Sequence, residues 1–192
     1  NGNATEYGNG TGEGGVGGQE LNAEGATIDQ NGYNTVFKVG NRTYKNYKQS
    51  YGYYIGSLIP KYNQSMKKSG CALASIAVIA SGYGIDMDPQ GVIDYYNSHG
   101  FTDVHDAALS AIIGKKCEWD YSNVKQNIIN QLKSGKPCMV HRPGHFFTVL
   151  AIDDTGTKVY VSDVGGINAP YLNGWLDISY LDQFDMYVKI ND

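Results

Sequence analysis

Three residues whose types could share one reaction lie far apart in this chain: Cys71, His145 and Asp163. Cys71 stands between Gly70 and the run Ala72–Ala80, which is apolar apart from Ser75. A turn at Gly70 would therefore put the cysteine at the start of a buried helix. The first N–H groups of a helix lack intrahelical acceptors and carry partial positive charge. A sulfur placed there is drawn toward thiolate, the form that attacks a carbonyl carbon. The alternative is a packing cysteine, since free cysteine is among the most buried residue types. A nucleophilic thiol also needs a base. Of the four histidines, His99 adjoins Gly100 at a helix end and His105 sits in a polar turn, so both are expected at the surface. His141 lies in a strand segment. His145 opens "HFFTVLAID" after Pro143-Gly144. A period of two puts it on one strand face with Phe147, Val149 and Ala151, a polar residue at the rim of an apolar face where a cleft would open. A histidine with an ordinary hydrogen bond is the plainer reading of the same position.

The base needs a partner that holds its other ring nitrogen. "HFFTVLAID" and "TKVYVSD" are joined by Asp153-Asp154-Thr155-Gly156, a strong hairpin turn. Antiparallel pairing about that turn returns Asp163 beside His145. An acid before Gly165-Gly166 could equally be a turn residue.

The elements around these residues read as helices first and an antiparallel sheet afterwards. A hairpin is expected at Val36–Val39 and Thr43–Tyr47, turning at Gly40-Asn41. A helix over residues 71–82 follows the loop-rich stretch 49–70. A second has Asp88 as cap, Pro89 at its first position and Gly100 past its end. "HDAALSAIIG" forms a short third helix. The fourth, in "YSNVKQNIINQLKSGK", is capped by Ser122, lines up Val124, Ile128, Ile129 and Leu132 on one face, and ends at Gly135. Strands then follow in "KPCMVHR", "HFFTVLAID", "TKVYVSD" and "DMYVKI". This order is α+β, two layers around one core. Residues 1–34 differ, with eight glycines in the first twenty positions. They read as a flexible arm or linker, joined to an upstream domain or simply a disordered terminus, ahead of one globular domain over residues 35–192. The glycine-rich "GEGGVGG" could lie in a cleft, because glycine lets a backbone approach closely.

Composition excludes several classes. The net charge is -4 and no Lys/Arg block stands out, so nothing marks a nucleic-acid surface. No apolar stretch approaches the length of a membrane span. Three cysteines allow one disulfide at most and leave a free thiol; whether Cys117 and Cys138 pair stays open. A zinc site at Cys138, His141 and His145 is disfavoured, because Pro143-Gly144 keeps the histidines off a helical turn and no paired-cysteine motif exists. Asp86 and Asp88 look like capping residues, since the rest of a calcium-loop series is missing.

The residues also resemble a known family. Gly70-Cys71-Ala72-Leu73 followed by Ser75-Ile76-Ala77 resembles the nucleophile helix of the C39-like cysteine peptidases, a papain-like group. "GKPCMVHRPGHFFTVLAIDDTGTKVYVSDVGG" resembles that family's second signature, and the likeness covers roughly Lys48 to Phe184. Leu73-Ala74 and Asp163-Val164 depart from the pattern of many relatives, at positions that carry no reacting atom. The resemblance implies a papain-like fold with helices packed on an antiparallel sheet. It implies Cys71 as nucleophile, His145 as base and then acid, Asp163 as orienter, and no cofactor. It also implies a glutamine side chain at the oxyanion. Gln49, in "NYKQSYGYY", and Gln64, seven residues before Cys71, are the candidates, with Gln49 favoured. The expected substrate is a peptide, as a secreted peptide or the stem or cross-bridge of peptidoglycan, and the expected setting a secreted or wall-associated bacterial enzyme. The alternative is an inactive binding module on the same scaffold.

Overall fold

A computed structural model describes residues 36–50, 52–60, 63–165 and 173–191. The arm expected over residues 1–34, with its glycine-rich segment, lies outside them.

The chain opens with a hairpin, β1 (Val36–Val39) and β2 (Arg42–Lys45), turning at Gly40 with φ 58°. Two short strands follow, β3 (Leu58–Ile59) and β4 (Gln64–Ser65), then the single turn α1 (Met66–Ser69). Helix α2 (Cys71–Gly82) is buried continuously from Cys71 to Ala80, which its all-round apolar sequence requires. At its far end Gly82 is required by packing, because a Cβ there would lie 2.3 Å from the ring of Tyr44 on β2.

Helix α3 (Pro89–His99) has the expected ends. Asp88 accepts from Gly91 N–H at 2.8 Å, Pro89 opens the helix, and Gly100 closes it in the left-handed region. Helix α4 (His105–Ile113) begins at His105, and here the surface expectation fails. The ring is buried, its Nδ1 lies 2.6 Å from Tyr96 Oη, and it packs edge-on against Phe146. The tyrosine hydroxyl supplies the polar partner that lets the imidazole leave water. His99 is exposed at the end of α3, as expected.

Helix α5 (Val124–Lys133) is not capped by Ser122. The N-cap is Asn123, with φ 42°, while the Ser122 N–H and hydroxyl both go to Asp120 Oδ1. A carboxylate two residues upstream outcompetes the helix end for that serine.

The sheet has six antiparallel strands in the order β5-β10-β6-β7-β8-β9, from β5 (Lys116–Asp120), β6 (Cys138–Arg142), β7 (His145–Ile152), β8 (Lys158–Ser162), β9 (Asn173–Asp177) and β10 (Met186–Asn191). Both β5 and β9 go beyond the strands expected from sequence. α2 packs on β7 and β6, and α5 on β7 and β10. Every β7 residue from His145 to Ala151 is buried, so both faces of the sheet are covered there. The architecture is the expected α+β one, with helices on an antiparallel sheet. All three cysteines are free and buried.

Candidate active site

Cys71 is the first residue of α2, with Gly70 as its N-cap. Gly70 is forced by space, since a Cβ would meet Met66 Sδ at 1.9 Å and Met66 O at 2.5 Å. The backbone N–H groups of Phe146, Ala72 and Cys71 itself act on the sulfur and favour the thiolate. Phe146 belongs to β7, so the sulfur lies against the strand whose first residue is His145. The net effect nevertheless runs against the expectation of a depressed thiol. Burial, the largest influence, pushes the Cys71 thiol well above its ordinary value, and the Asp163 charge adds to this. Cys71 has no exposed surface, and three N–H dipoles do not offset the loss of water.

His145 is also buried, at 1% exposure, rather than at an open rim. Its Nε2 lies 2.7 Å from Asp163 Oδ1. Asp163 also accepts from Gly165 N–H at 2.9 Å. Burial pushes the Asp163 carboxyl up, but the charge and hydrogen bond of His145, the Gly165 N–H and the Lys48 charge outweigh it, leaving the carboxyl below its ordinary value. A carboxylate only accepts, so His145 carries its proton on Nε2 and Nδ1 is the lone-pair nitrogen of the neutral ring. Among the described residues Nδ1 has no hydrogen-bond partner, Cys71 included.

The pairing of β7 with β8 decides this juxtaposition. Near the turn the register is Ile152↔Val159 and Ala151↔Tyr160; beyond Leu150 it becomes Val149↔Val161 and Thr148↔Ser162. Leu150 is the extra residue of a β-bulge. Continued one step, the register sets Asp163 opposite Phe147, on the face that Phe147 shares with His145. Without the bulge, Asp163 would fall opposite Thr148 and face the other way. The same bulge removes Ala151 from the His145 face, which corrects the simple period-two expectation. Phe147 packs on Phe184 and Tyr180, and stacks on His145 with ring centres 5.1 Å apart.

Of the two glutamines, Gln49 is buried, its N–H donating to Val164 O at 2.8 Å and its Nε2 to Lys67 O at 2.9 Å. Gln64 lies on β4, and its Oε1 accepts from the Ser69 hydroxyl. Gln49 is thus tied directly to the segment that follows Asp163. Among the described residues no cluster of His, Cys, Asp and Glu could hold a metal ion. His141 makes a separate pair, its Nδ1 2.6 Å from Asp185 Oδ1. Sequence reasoning missed Lys48, a fully buried lysine at the back of Asp163. Nothing in "NYKQS" marks it except its place beside Gln49.

The sequence pattern of the Peptidase_C39 like family matches residues 57–183. The chain belongs to that family. The match contains Cys71, His145 and Asp163 and begins after Gln49. No curated protein matches the chain. One similar solved structure is a double glycine motif protease from an AMS/PCAT transporter, in complex with the leader peptide. It is 18% identical, with 62% of this chain and 82% of that chain covered and a TM-score of 0.45. Another is UfSP from C. elegans, 15% identical, with 78% and 32% covered and a TM-score of 0.49. The C39-like chain thus spans about a third of that second protein.

Proposed function

We propose that this C39-like protein is a cysteine peptidase in which Cys71, His145 and Asp163 act together. The observation that carries the reading is the join between α2 and β7. The Cys71 sulfur meets the Phe146 N–H, and the preceding residue, His145, is held through Nε2 by Asp163. In the reaction the Cys71 S–H proton passes to His145 Nδ1, and the sulfur attacks the amide carbonyl carbon. The Cys71 N–H and the Gln49 side-chain amide receive the oxyanion. Lys67 O accepts one hydrogen bond from that amide nitrogen, which fixes the side chain in place. His145 Nδ1–H then protonates the departing amine, leaving a thioester. Water, deprotonated by Nδ1, resolves the thioester to a free acid and the thiol. No step needs a cofactor. The substrate is a peptide, and the glycine-rich, weakly charged chain suits a secreted or wall-associated enzyme acting on secreted or peptidoglycan peptides.

One observation favours an inactive binding module instead: Cys71 is fully buried, and that burial pushes its thiol above its ordinary value. Catalysis requires this sulfur to become accessible to a carbonyl. Labelling with iodoacetamide decides between the readings, with Cys117 and Cys138 as buried internal controls. For a peptidase, Cys71 labels at least tenfold faster than either control, and His145→Ala abolishes the excess. Equal rates at all three sites, unchanged by His145→Ala, would leave only the binding module. Cleavage assays on peptides and on purified cell wall then separate the substrate classes.

A further inference from the structure

Among the buried ionisable groups that this chemistry leaves unused, Lys48 stands beside the site. Lysine is almost never fully buried unless paired, and Lys48 has no exposed surface. Its Nζ donates to the main-chain oxygen of Asp163 at 2.6 Å and to Asn173 Oδ1 at 2.7 Å. Asn173 Nδ2 donates in turn to Asn46 Oδ1 at 2.6 Å. The next two residues continue the contact: Gln49 N–H donates to Val164 O at 2.8 Å, and Ser50 Oγ to Gly165 O at 2.7 Å. Consecutive residues 48, 49 and 50 thus donate to the consecutive carbonyls of 163, 164 and 165, each pair 115 positions apart in the chain. Tyr54 Oη closes the strap by donating to Lys48 O at 2.9 Å.

Two parts of the site meet here. The strap carries Gln49, the oxyanion candidate, and it grips the residue that orients His145. We propose that Lys48 is a positioning residue of the site: its buried amine ties the Asp163 main chain to the segment bearing Gln49, and its positive charge lies behind the carboxylate that holds His145. This rests on the cysteine-peptidase reading. A main-chain carbonyl and an amide oxygen could be satisfied by neutral donors. A buried ammonium is tolerable where a carboxylate faces it. Burial lowers the Lys48 pKa to about 7, with the Asp163 charge opposing the fall. The ammonium is therefore present in acid and fades as pH rises through about 7.

The titratable and charged groups facing Asp163 are His145 on β7, Lys48 on the strap, Cys71 at the start of α2 and Tyr180 of the 3-10 helix Ile178–Gln183, with Arg142 acting on Tyr180 in turn. Removing the Lys48 charge has one sign for the carboxylate and the thiol: the Asp163 carboxylate and the Cys71 thiolate each lose a favourable neighbour, so both titrate higher.

The test measures iodoacetamide labelling of Cys71 against pH in the full chain, for wild type, His145→Ala and Lys48→Met. The acid limb of the Lys48→Met profile is expected about one unit higher, so that labelling at pH 6 slows about tenfold. The gap should close above pH 7, where wild type has lost the same charge. A merely structural lysine would lower the melting temperature and leave the limb in place, which would overturn the proposal. Should Lys48→Met not fold, 13C-labelled lysine decides by NMR in wild type and Asp163→Asn. One lysine is expected to titrate near 7 and to move lower when Asp163 loses its charge. A resonance that titrates with the surface lysines, or that Asp163→Asn does not move, refutes the coupling. Wild-type labelling that ignores His145 would instead sink the peptidase reading, while the NMR comparison still reads the Lys48–Asp163 contact.

Discussion

Asp163→Asn removes one negative charge and keeps the shape of the side chain. Asp163 Oδ1 takes the His145 Nε2 proton at 2.7 Å and the Gly165 N–H at 2.9 Å. The Gly165 N–H can only donate, so it holds the amide oxygen of the variant on that side, and the proton stays on His145 Nε2. The new Nδ2 then takes the place of Oδ2, which is buried without a hydrogen-bond partner among the described residues. A buried donor left unsatisfied costs about 1–3 kcal/mol. The two retained hydrogen bonds each weaken by about 1 kcal/mol as they lose charge assistance. Relief from burying a carboxylate offsets part of this. The expected loss of stability at pH 7 is about 2 kcal/mol, the size of one unsatisfied buried donor. The pH dependence follows from the direction of the Asp163 shift. Its carboxyl is held below the unfolded value, so its contribution is fully present above that value, about pH 4, and is lost as pH falls through the lower folded value. Urea unfolding at pH 7, 5 and 3 should therefore show the gap between wild type and variant narrowing in acid. The imidazolium loses about 1–1.5 kcal/mol of stabilisation, which the relief of the Cys71 thiolate from the Asp163 charge offsets only in part, so Cys71 labelling should slow at neutral pH, by up to about tenfold. A gap of equal size at pH 3 and pH 7, or unchanged labelling, would refute the account of the His145–Asp163 pair.

The two glutamines can be separated by reaction type. Gln49→Ala should lower kcat on a peptide by about 10²–10³ and leave iodoacetamide labelling of Cys71 nearly unchanged, because alkylation develops no oxyanion. Gln64→Ala, whose native side chain is occupied by Ser69, should change neither rate; equal losses in the two variants would remove Gln49 from its role. Gly70→Ala would set a Cβ 1.9 Å from Met66 Sδ and 2.5 Å from Met66 O, and that backbone oxygen cannot swing aside. Thermal melts should show a loss of about 1–3 kcal/mol together with slower Cys71 labelling; an unchanged melting temperature would show that the helix start tolerates a side chain.

What could be read in the sequence is local. The start of α2 at Cys71 follows from Gly70 and an apolar run interrupted only by Ser75. The ends of α3 follow from Asp88, Pro89 and Gly100, and the β7–β8 hairpin from its turn residues. Each depends on backbone preferences within a few residues, which side-chain types report directly. The meeting of His145 and Asp163 was half legible. The turn brings the two strand ends together, but the bulge at Leu150 sets the face, and no bulge signal such as a glycine marks that position.

Tertiary structure alone decided the rest. His105 is buried because Tyr96 and Phe146 are there to receive it. β5 is a strand because β10, some seventy residues later, completes its hydrogen bonds. Cys71 was rightly placed at a helix start, yet its protonation follows from the desolvation imposed by everything packed around it, which outweighs the local dipoles. Lys48 looks like any surface lysine until the 163–165 carbonyls arrive against it. Burial and charge pairing are sums over neighbours that the chain brings from many turns away, more than a hundred residues in the case of Lys48, so no short window of sequence contains them.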